Sequence, residues 1–140
     1  TYYDEADFLF NKIKEYYAHE GKEFVLTGQC LGGSIAQYVG MKNKVKTICF
    51  NAIPLGSGLQ QKIGADSFDA NKYITEIFVD DNPMISSNSA RTFGREYVIP
   101  SAYDTSLDSH KFVMGSLLQY IGYSKKSHTK DLKPEDLICD

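Results

Sequence analysis

Along this chain the spacing of apolar positions changes from segment to segment. Between Asp4 and Glu20, the residues Ala6, Leu9, Phe10, Ile13 and Tyr17 fall at i, i+3, i+4, i+7 and i+11. That spacing places them on one face of an α-helix. Asp4 suits the N-cap of this helix, and Gly21 suits its stop. Glu23-Phe-Val-Leu-Thr27 is short and apolar, the pattern of a buried strand. Leu31 to Met41 carries Gly32, Gly33, Ser34, Ala36 and Gly40, which predicts a helix packed closely on its neighbours. Val45 to Asn51 predicts a second strand, and Ala52 to Gly58 a loop marked by Pro54 and two glycines. Leu59 to Ile63 predicts a short helix. Tyr73 to Val79 predicts a third strand, closed by the turn residues Asp80-Asp81-Asn82-Pro83. Glu96 to Ile99 predicts a fourth. After a loop from Ser101 to Asp108, a helix capped by Asp108 or Ser109 runs through Tyr120, with Val113, Leu117 and Tyr120 or Ile121 on one face. From Lys125 onward the chain is polar, so 125–140 reads as an exposed extension of a domain spanning 1–124.

Short apolar strands that alternate with helices predict an α/β fold: a parallel sheet of about four strands with flanking helices. In such sheets, reactive groups sit in loops at the carboxyl ends of the strands. Composition narrows the function. At 140 residues the chain suits one domain. Its 42% hydrophobic and 24% charged content excludes a disordered polymer. A net charge of −3 argues against a nucleic-acid-binding surface. No apolar run approaches the roughly 20 residues of a membrane span. Cys30, Cys49 and Cys139 are odd in number and widely spaced, with no Cys-x-x-Cys pair. They make neither a disulfide framework nor a zinc site. His19, His110 and His128 have no metal-ligand spacing among themselves. No metal or cofactor is implied, and a reducing, cytoplasmic compartment is the default reading, with a secreted effector as the alternative.

The chemically informative run is Val25-Leu-Thr-Gly28-Gln29-Cys30-Leu31-Gly32-Gly33, a Gly-x-nucleophile-x-Gly frame where a strand meets a helix. The nucleophile of such a frame sits on a sharp turn with strained backbone angles. Gly28 and Gly32, two residues before and two after Cys30, are expected to approach too closely for any side chain. The helix that starts behind Cys30 directs its N-terminal N–H groups and dipole at the sulfur, which favours a thiolate. The N–H of Leu31 becomes a candidate oxyanion donor.

Val-Leu-Thr-Gly-Gln-Cys-Leu-Gly-Gly-Ser-Ile-Ala-Gln resembles the Gly-His-Ser-Leu-Gly-Gly elbow of α/β-hydrolase lipases, most closely the bacterial lipase-like group related to the class 3 lipases. Cys49-Phe-Asn51-Ala-Ile-Pro54-Leu-Gly56 resembles the strand and loop that follow the elbow helix in that group. Phe78-Val-Asp-Asp-Asn-Pro-Met84 resembles the turn that holds the acid, and Asp108-Ser-His110-Lys-Phe the junction that holds the histidine. The likeness spans about Phe24 to Tyr120. It implies a nucleophile–acid–histidine order, with His110 placed 80 residues after Cys30 as the base. The bland alternative for His110 is an exposed helix-capping histidine. His19, at a helix end, and His128, in the polar tail, are poorer bases because neither follows a strand.

Three positions depart from the lipase pattern. Cys30 stands where lipases carry Ser, Gln29 stands where His is usual, and alignment on Pro83 puts Asn82 at the acid position with Asp81 one residue earlier. A Cys-His-Asn set is a workable thiol triad, and a Cys-His-Asp81 set is the conservative one. Gln29 is read as merely supporting. The resemblance implies a lipase-like or esterase-like acyl hydrolase or acyltransferase with a small acyl or lipid substrate. The three departures together motivate a different reading, a catalytically inactive binding or scaffolding module of the same fold. The four strands match only the second half of an α/β-hydrolase sheet. The chain is therefore expected to be either a minimal hydrolase or the C-terminal portion of a longer domain. On the second view, a homodimer contact or a preceding segment covers the sheet edge at Phe24–Thr27.

Overall fold

The computed structural model describes residues 1–64, 69–80 and 92–122. In chain order the elements are helix α1 (Tyr2–Tyr16), strand β1 (Leu26–Gln29), helix α2 (Leu31–Asn43), strand β2 (Thr47–Phe50), helix α3 (Ser57–Ile63), a 3-10 turn (Ala70–Lys72), strands β3 (Ile74–Val79) and β4 (Arg95–Ile99), and helices α4 (Ser106–Lys111) and α5 (Val113–Tyr120). The four strands form one all-parallel sheet in the order β1-β2-β3-β4. Leu26 pairs with Thr47, Thr47 with Ile74, and Thr75 with Arg95. The expected α/β architecture is therefore present. Among the described residues β1 is an edge strand, and it is the strand that leads into Cys30.

Helices pack on both faces of the sheet at β2 and β3, the arrangement usual for a parallel sheet, while Arg95–Val98 of β4 stay exposed. On one face Ile74 packs with Tyr38, Val39 and Met41 of α2, and Cys49 packs with Ala36. On the other, Phe50, Ile77, Val79 and Ile99 pack with Val113 and Leu117 of α5. The alternation of Ile74 with Ile77 and Val79, and of Cys49 with Phe50, is the period-2 signature of strands buried on both sides. Tyr38, Leu55 and Ile74 are fully buried, and each contributes about 1.5–3 kcal/mol by leaving water.

Helix α1 lies on α2 rather than on the sheet. Tyr3 meets Tyr38 edge to face at 5.5 Å, and Phe10 meets Phe24 at 5.7 Å. Polar ties reinforce the contact. Lys42 pairs with Asp7 at 3.1 Å, Asn43 donates to Asp7 at 2.6 Å, and Lys62 of α3 pairs with Asp4 at 3.1 Å. Lys62 and Thr1 hold the Asp4 carboxyl well below the ordinary carboxylate range.

Several expected boundaries shift. Thr1, not Asp4, caps α1, because its side chain accepts the Asp4 N–H; Asp4 sits in the first turn, where its carboxylate suits the helix dipole. The helix ends at Tyr16, and a turn bridges to Gly21. Only part of the predicted apolar face is buried. Phe10 is in the core, but Leu9 is 59% and Ile13 40% exposed. Both line an apolar groove of about 250 Å³ bounded by α1, α2 and β1. Strand β1 lies further along than the Glu23–Thr27 run, pairing through Gln29 up to the turn itself. Helix α3 starts at Ser57 rather than Leu59. The polar segment from Lys125 onward lies outside the described residues.

Candidate active site

The sheet ladder continues one residue beyond β1, where the Cys30 N–H donates to the Phe50 carbonyl at 3.0 Å. Helix α2 then begins at Leu31. The chain has to pass from strand to helix within Cys30, which adopts φ 56°, ψ −120°. A non-glycine residue at such a positive φ costs on the order of 1–3 kcal/mol and persists only where its surroundings hold it. Here the Cys30 carbonyl accepts from Ser34 N–H at 3.1 Å and from Ile53 N–H at 3.2 Å.

The glycine requirement is narrower than the frame suggests. A Cβ on Gly28 would overlap the Gly32 carbonyl and lie 2.7 Å from the Gly33 nitrogen, so Gly28 has to be glycine. A Cβ on Gly32 would meet nothing within 4 Å, which corrects the expectation of a mutual constraint. The approach is one-sided, because the Gly28 side-chain position faces the α2 backbone while that of Gly32 faces open space. The second tight position is Gly33, whose Cβ would lie 3.0 Å from that of Ala52 and 3.1 Å from the Gly28 carbonyl.

His110 reaches the same place from the other end of the chain. Thr105 caps α4: its hydroxyl accepts the Asp108 N–H at 3.1 Å. The helix therefore starts earlier than the expected cap at Asp108 or Ser109, inside the segment read as loop. Ser109 is fully buried, donates to the Thr105 carbonyl at 2.9 Å and contacts the Ser101 hydroxyl. His110 falls in the last turn of α4 and is 6% exposed, so it is not an exposed capping histidine. Its Nε2 lies 3.0 Å from Cys30 Sγ. Burial pushes the imidazole below its ordinary pKa, which favours the neutral ring able to accept a proton.

Two side-chain amides converge on the backbone around His110. Gln29 Nε2 donates to the carbonyls of His110 (3.2 Å) and Lys111 (2.6 Å). Asn51 Nδ2 donates to the carbonyls of Ser109 (3.3 Å) and His110 (3.1 Å), while Asn51 Oδ1 accepts the Val79 N–H at 3.0 Å. Asn51 is fully buried and holds a left-handed backbone, φ 47°. Gln29, read from the motif as supporting, thus joins the turn at Cys30 to the end of α4. Asn51 was legible only as part of a loop resemblance. Its physical signal is an amide residue at the carboxyl end of a strand.

Leu31 opens α2, so its N–H is among the first-turn donors that lack an intrahelical acceptor. Asp81 and Asn82, the two candidates for orienting the histidine, lie outside the described residues, as do Cys139 and His128. Asp80 is described, and its carboxylate accepts the Ser101 N–H at 3.0 Å. His19 is exposed in the turn after α1.

Cys49 is no rival nucleophile. It is fully buried, and burial together with neighbouring Glu76 pushes its thiol pKa far up. Glu76 itself escaped the sequence reading. It sits in the middle of β3, fully buried opposite Cys49 in the sheet register, with neither carboxyl oxygen in a well-formed hydrogen bond. Burial raises its pKa to about 8, with the Glu96 charge adding and the Cys49 thiol opposing.

Among the described residues no group of three or more His, Cys, Asp or Glu could hold a metal ion, and no helix is long and apolar enough to cross a membrane. In comparisons with known proteins, no family model and no curated protein matches the chain.

Proposed function

We propose that the chain is an acyl hydrolase or acyltransferase, lipase-like in its chemistry, that works through an acyl-Cys30 intermediate. One observation carries this reading: Cys30 Sγ lies 3.0 Å from His110 Nε2 at a strained strand-to-helix turn. A thiol and a neutral imidazole within hydrogen-bond reach are the minimal parts of an activated nucleophile. The substrate class is a small ester, thioester or amide with an acyl or lipid chain.

His110 Nε2 accepts the Cys30 proton as the sulfur attacks the carbonyl carbon. The carbonyl π electrons move to oxygen, and the Leu31 N–H stabilises the negative charge that develops there. Collapse of the tetrahedral adduct expels the alcohol, thiol or amine, which takes the proton back from His110. A thioester to Cys30 remains. Water, or a second acceptor, then gives its proton to His110 and attacks the thioester. The acid or the transferred acyl product leaves, and the thiol is restored. Asn82 or Asp81 is the proposed partner that orients the other ring nitrogen of His110.

Hydrolysis of p-nitrophenyl acyl esters of several chain lengths tests the reading. The expected result is turnover that Cys30→Ala abolishes. Turnover equal to that of Cys30→Ala would contradict it and favour a binding module of the same fold.

A further inference from the structure

The proposed chemistry needs Cys30 and His110 in register, yet they lie 80 residues apart and belong to different elements. They meet where His110 Nε2 approaches Cys30 Sγ at 3.0 Å. Something must hold the two elements at that spacing, and the geometry points to Gln29.

The last carbonyls of a helix have no intrahelical donors and need partners elsewhere. If α4 ran unbroken into α5, the carbonyls of Ser109, His110 and Lys111 would accept backbone N–H groups of the following turn. The helix instead breaks at Phe112 (φ −113°, ψ 45°), and the Gly115 N–H bonds to Phe112. The break leaves three carbonyls for the amides of Gln29 and Asn51. Gln29 takes those of His110 and Lys111, and Asn51 takes those of Ser109 and His110.

The two amides differ in what they connect. Asn51 is buried, and its side-chain oxygen also accepts the Val79 N–H, so it ties α4 to the carboxyl ends of β2 and β3. Gln29 is solvent-facing and is the residue bonded directly to Cys30. Its carboxamide therefore links the peptide before the nucleophile to the peptide that carries the base. The circuit that closes through this link runs only through Gln29, Cys30 and His110, so the link restrains the Sγ–Nε2 distance locally.

Building on the acyl-Cys30 reading, we propose that Gln29 is a positioning residue for the Cys30–His110 pair. It acts through the carbonyls of His110 and Lys111 and does not touch the reacting atoms. A purely structural role for a solvent-facing glutamine would appear in thermal stability alone. A positioning role appears in the reactivity of Cys30 and in its dependence on pH.

The test is the rate of Cys30 alkylation by iodoacetamide, followed by peptide mass across pH 5–9, in the full chain. The variants are Gln29→Leu, which keeps the bulk without the donor, Gln29→His, which restores an N–H donor, and His110→Ala. Thermal unfolding is measured on each. The expected result is that Gln29→Leu slows Cys30 alkylation about 10-fold at neutral pH, the order of loss that a small misplacement of reacting groups brings. Its pH profile should move toward that of His110→Ala, and Gln29→His should recover most of the rate. A Gln29→Leu variant with the wild-type rate and profile, beside a slowed His110→Ala, would overturn the role of Gln29 and leave the pair intact. So would a Gln29→Leu effect confined to the melting temperature. A His110→Ala variant with the wild-type profile would overturn the thiol–imidazole pair and the positioning role with it.

Discussion

At Cys30 one residue carries the whole change from strand to helix. Its positive φ is tolerated because Phe50, Ser34 and Ile53 fix its backbone and because Gly28 clears the space behind it. This makes the two glycines of the frame unequal, and two substitutions distinguish them. Gly28→Ala forces a side chain into the Gly32 carbonyl and is expected to cost about 3 kcal/mol or more in denaturant unfolding. Gly32→Ala enters open space within a helix and is expected to be neutral or to stabilise by up to about 1 kcal/mol. Equal losses would contradict the one-sided packing. The Gly-x-Cys-x-Gly frame was legible from sequence because strain and close approach restrict residue type. Which glycine is constrained was not legible, because that depends on which way each Cα faces.

Glu76 gives the fold a pH-dependent stability. Its pKa is about 8 in the folded chain against 4.5 for an unperturbed glutamate. Between those values the folded state holds a proton that the unfolded state releases. Stability should therefore fall as pH rises through that window, by roughly 1 kcal/mol per pH unit for a fully buried group, and level off above pH 8. His110 works in the opposite sense over a more acidic range. Its lowered pKa means the unfolded state binds the proton first, so stability falls as pH drops below the ordinary histidine value. Glu76→Gln should flatten the decline above pH 6 in thermal unfolding and leave the acid limb in place. An unchanged slope would show that Glu76 is not the titrating group. Sequence patterning missed this residue because an apolar strand with one central acid reads as an ordinary strand.

The elements divide by what defines them. β2, β3 and β4 were legible within a residue or two at each end, because short apolar runs between turn residues have few other uses. The end of β1 was not, since Gly28 and Gln29 have weak strand character, and pairing to β2 overrides it. The start of α4 was hidden for a related reason. Its first turn is polar, and its cap, Thr105, lies among residues that equally suit a loop. The α4–α5 break at Phe112 leaves no periodicity signal, because Val113 and Leu117 keep the same spacing on either reading. The cap can be weighed directly. Thr105→Ala removes the acceptor for the Asp108 N–H and is expected to cost about 1 kcal/mol in urea unfolding. Because the lost cap frees the first turn, whose Thr105 carbonyl accepts the Ser109 N–H, the variant should raise amide exchange at Ser109 and His110 more than at β2. Unchanged exchange in α4 would contradict the capping role.

For the whole molecule, the parallel order β1-β2-β3-β4 sets the site. Cys30, Asn51 and Asp80 follow the carboxyl ends of β1, β2 and β3, where open α/β sheets collect reactive groups. The site thus lies at one rim of the sheet, and α4 brings His110 to it. Its chain order was legible, since a strand–Cys–helix junction and a distant histidine before a helix survive in linear sequence. The amide clamp was not, because Gln29 and Asn51 act on backbone carbonyls, and backbone acceptors have no residue type to read. The edge strand β1 borders an apolar groove that leaves Leu9 and Ile13 open to solvent, which is why α1 buries less of its periodic face than a core helix would.

The proposed function stands or falls on acylation of Cys30 with the help of His110. The direct measurement is peptide mass after rapid mixing of the chain with a p-nitrophenyl acyl ester and quenching in acid. The expected result is a gain of one acyl group on the peptide carrying Cys30 and none on the peptide carrying buried Cys49. In His110→Ala the same gain should form about 10²–10⁴-fold more slowly. An unmodified Cys30 peptide during ester turnover, or equal acylation rates with and without the imidazole, would contradict it.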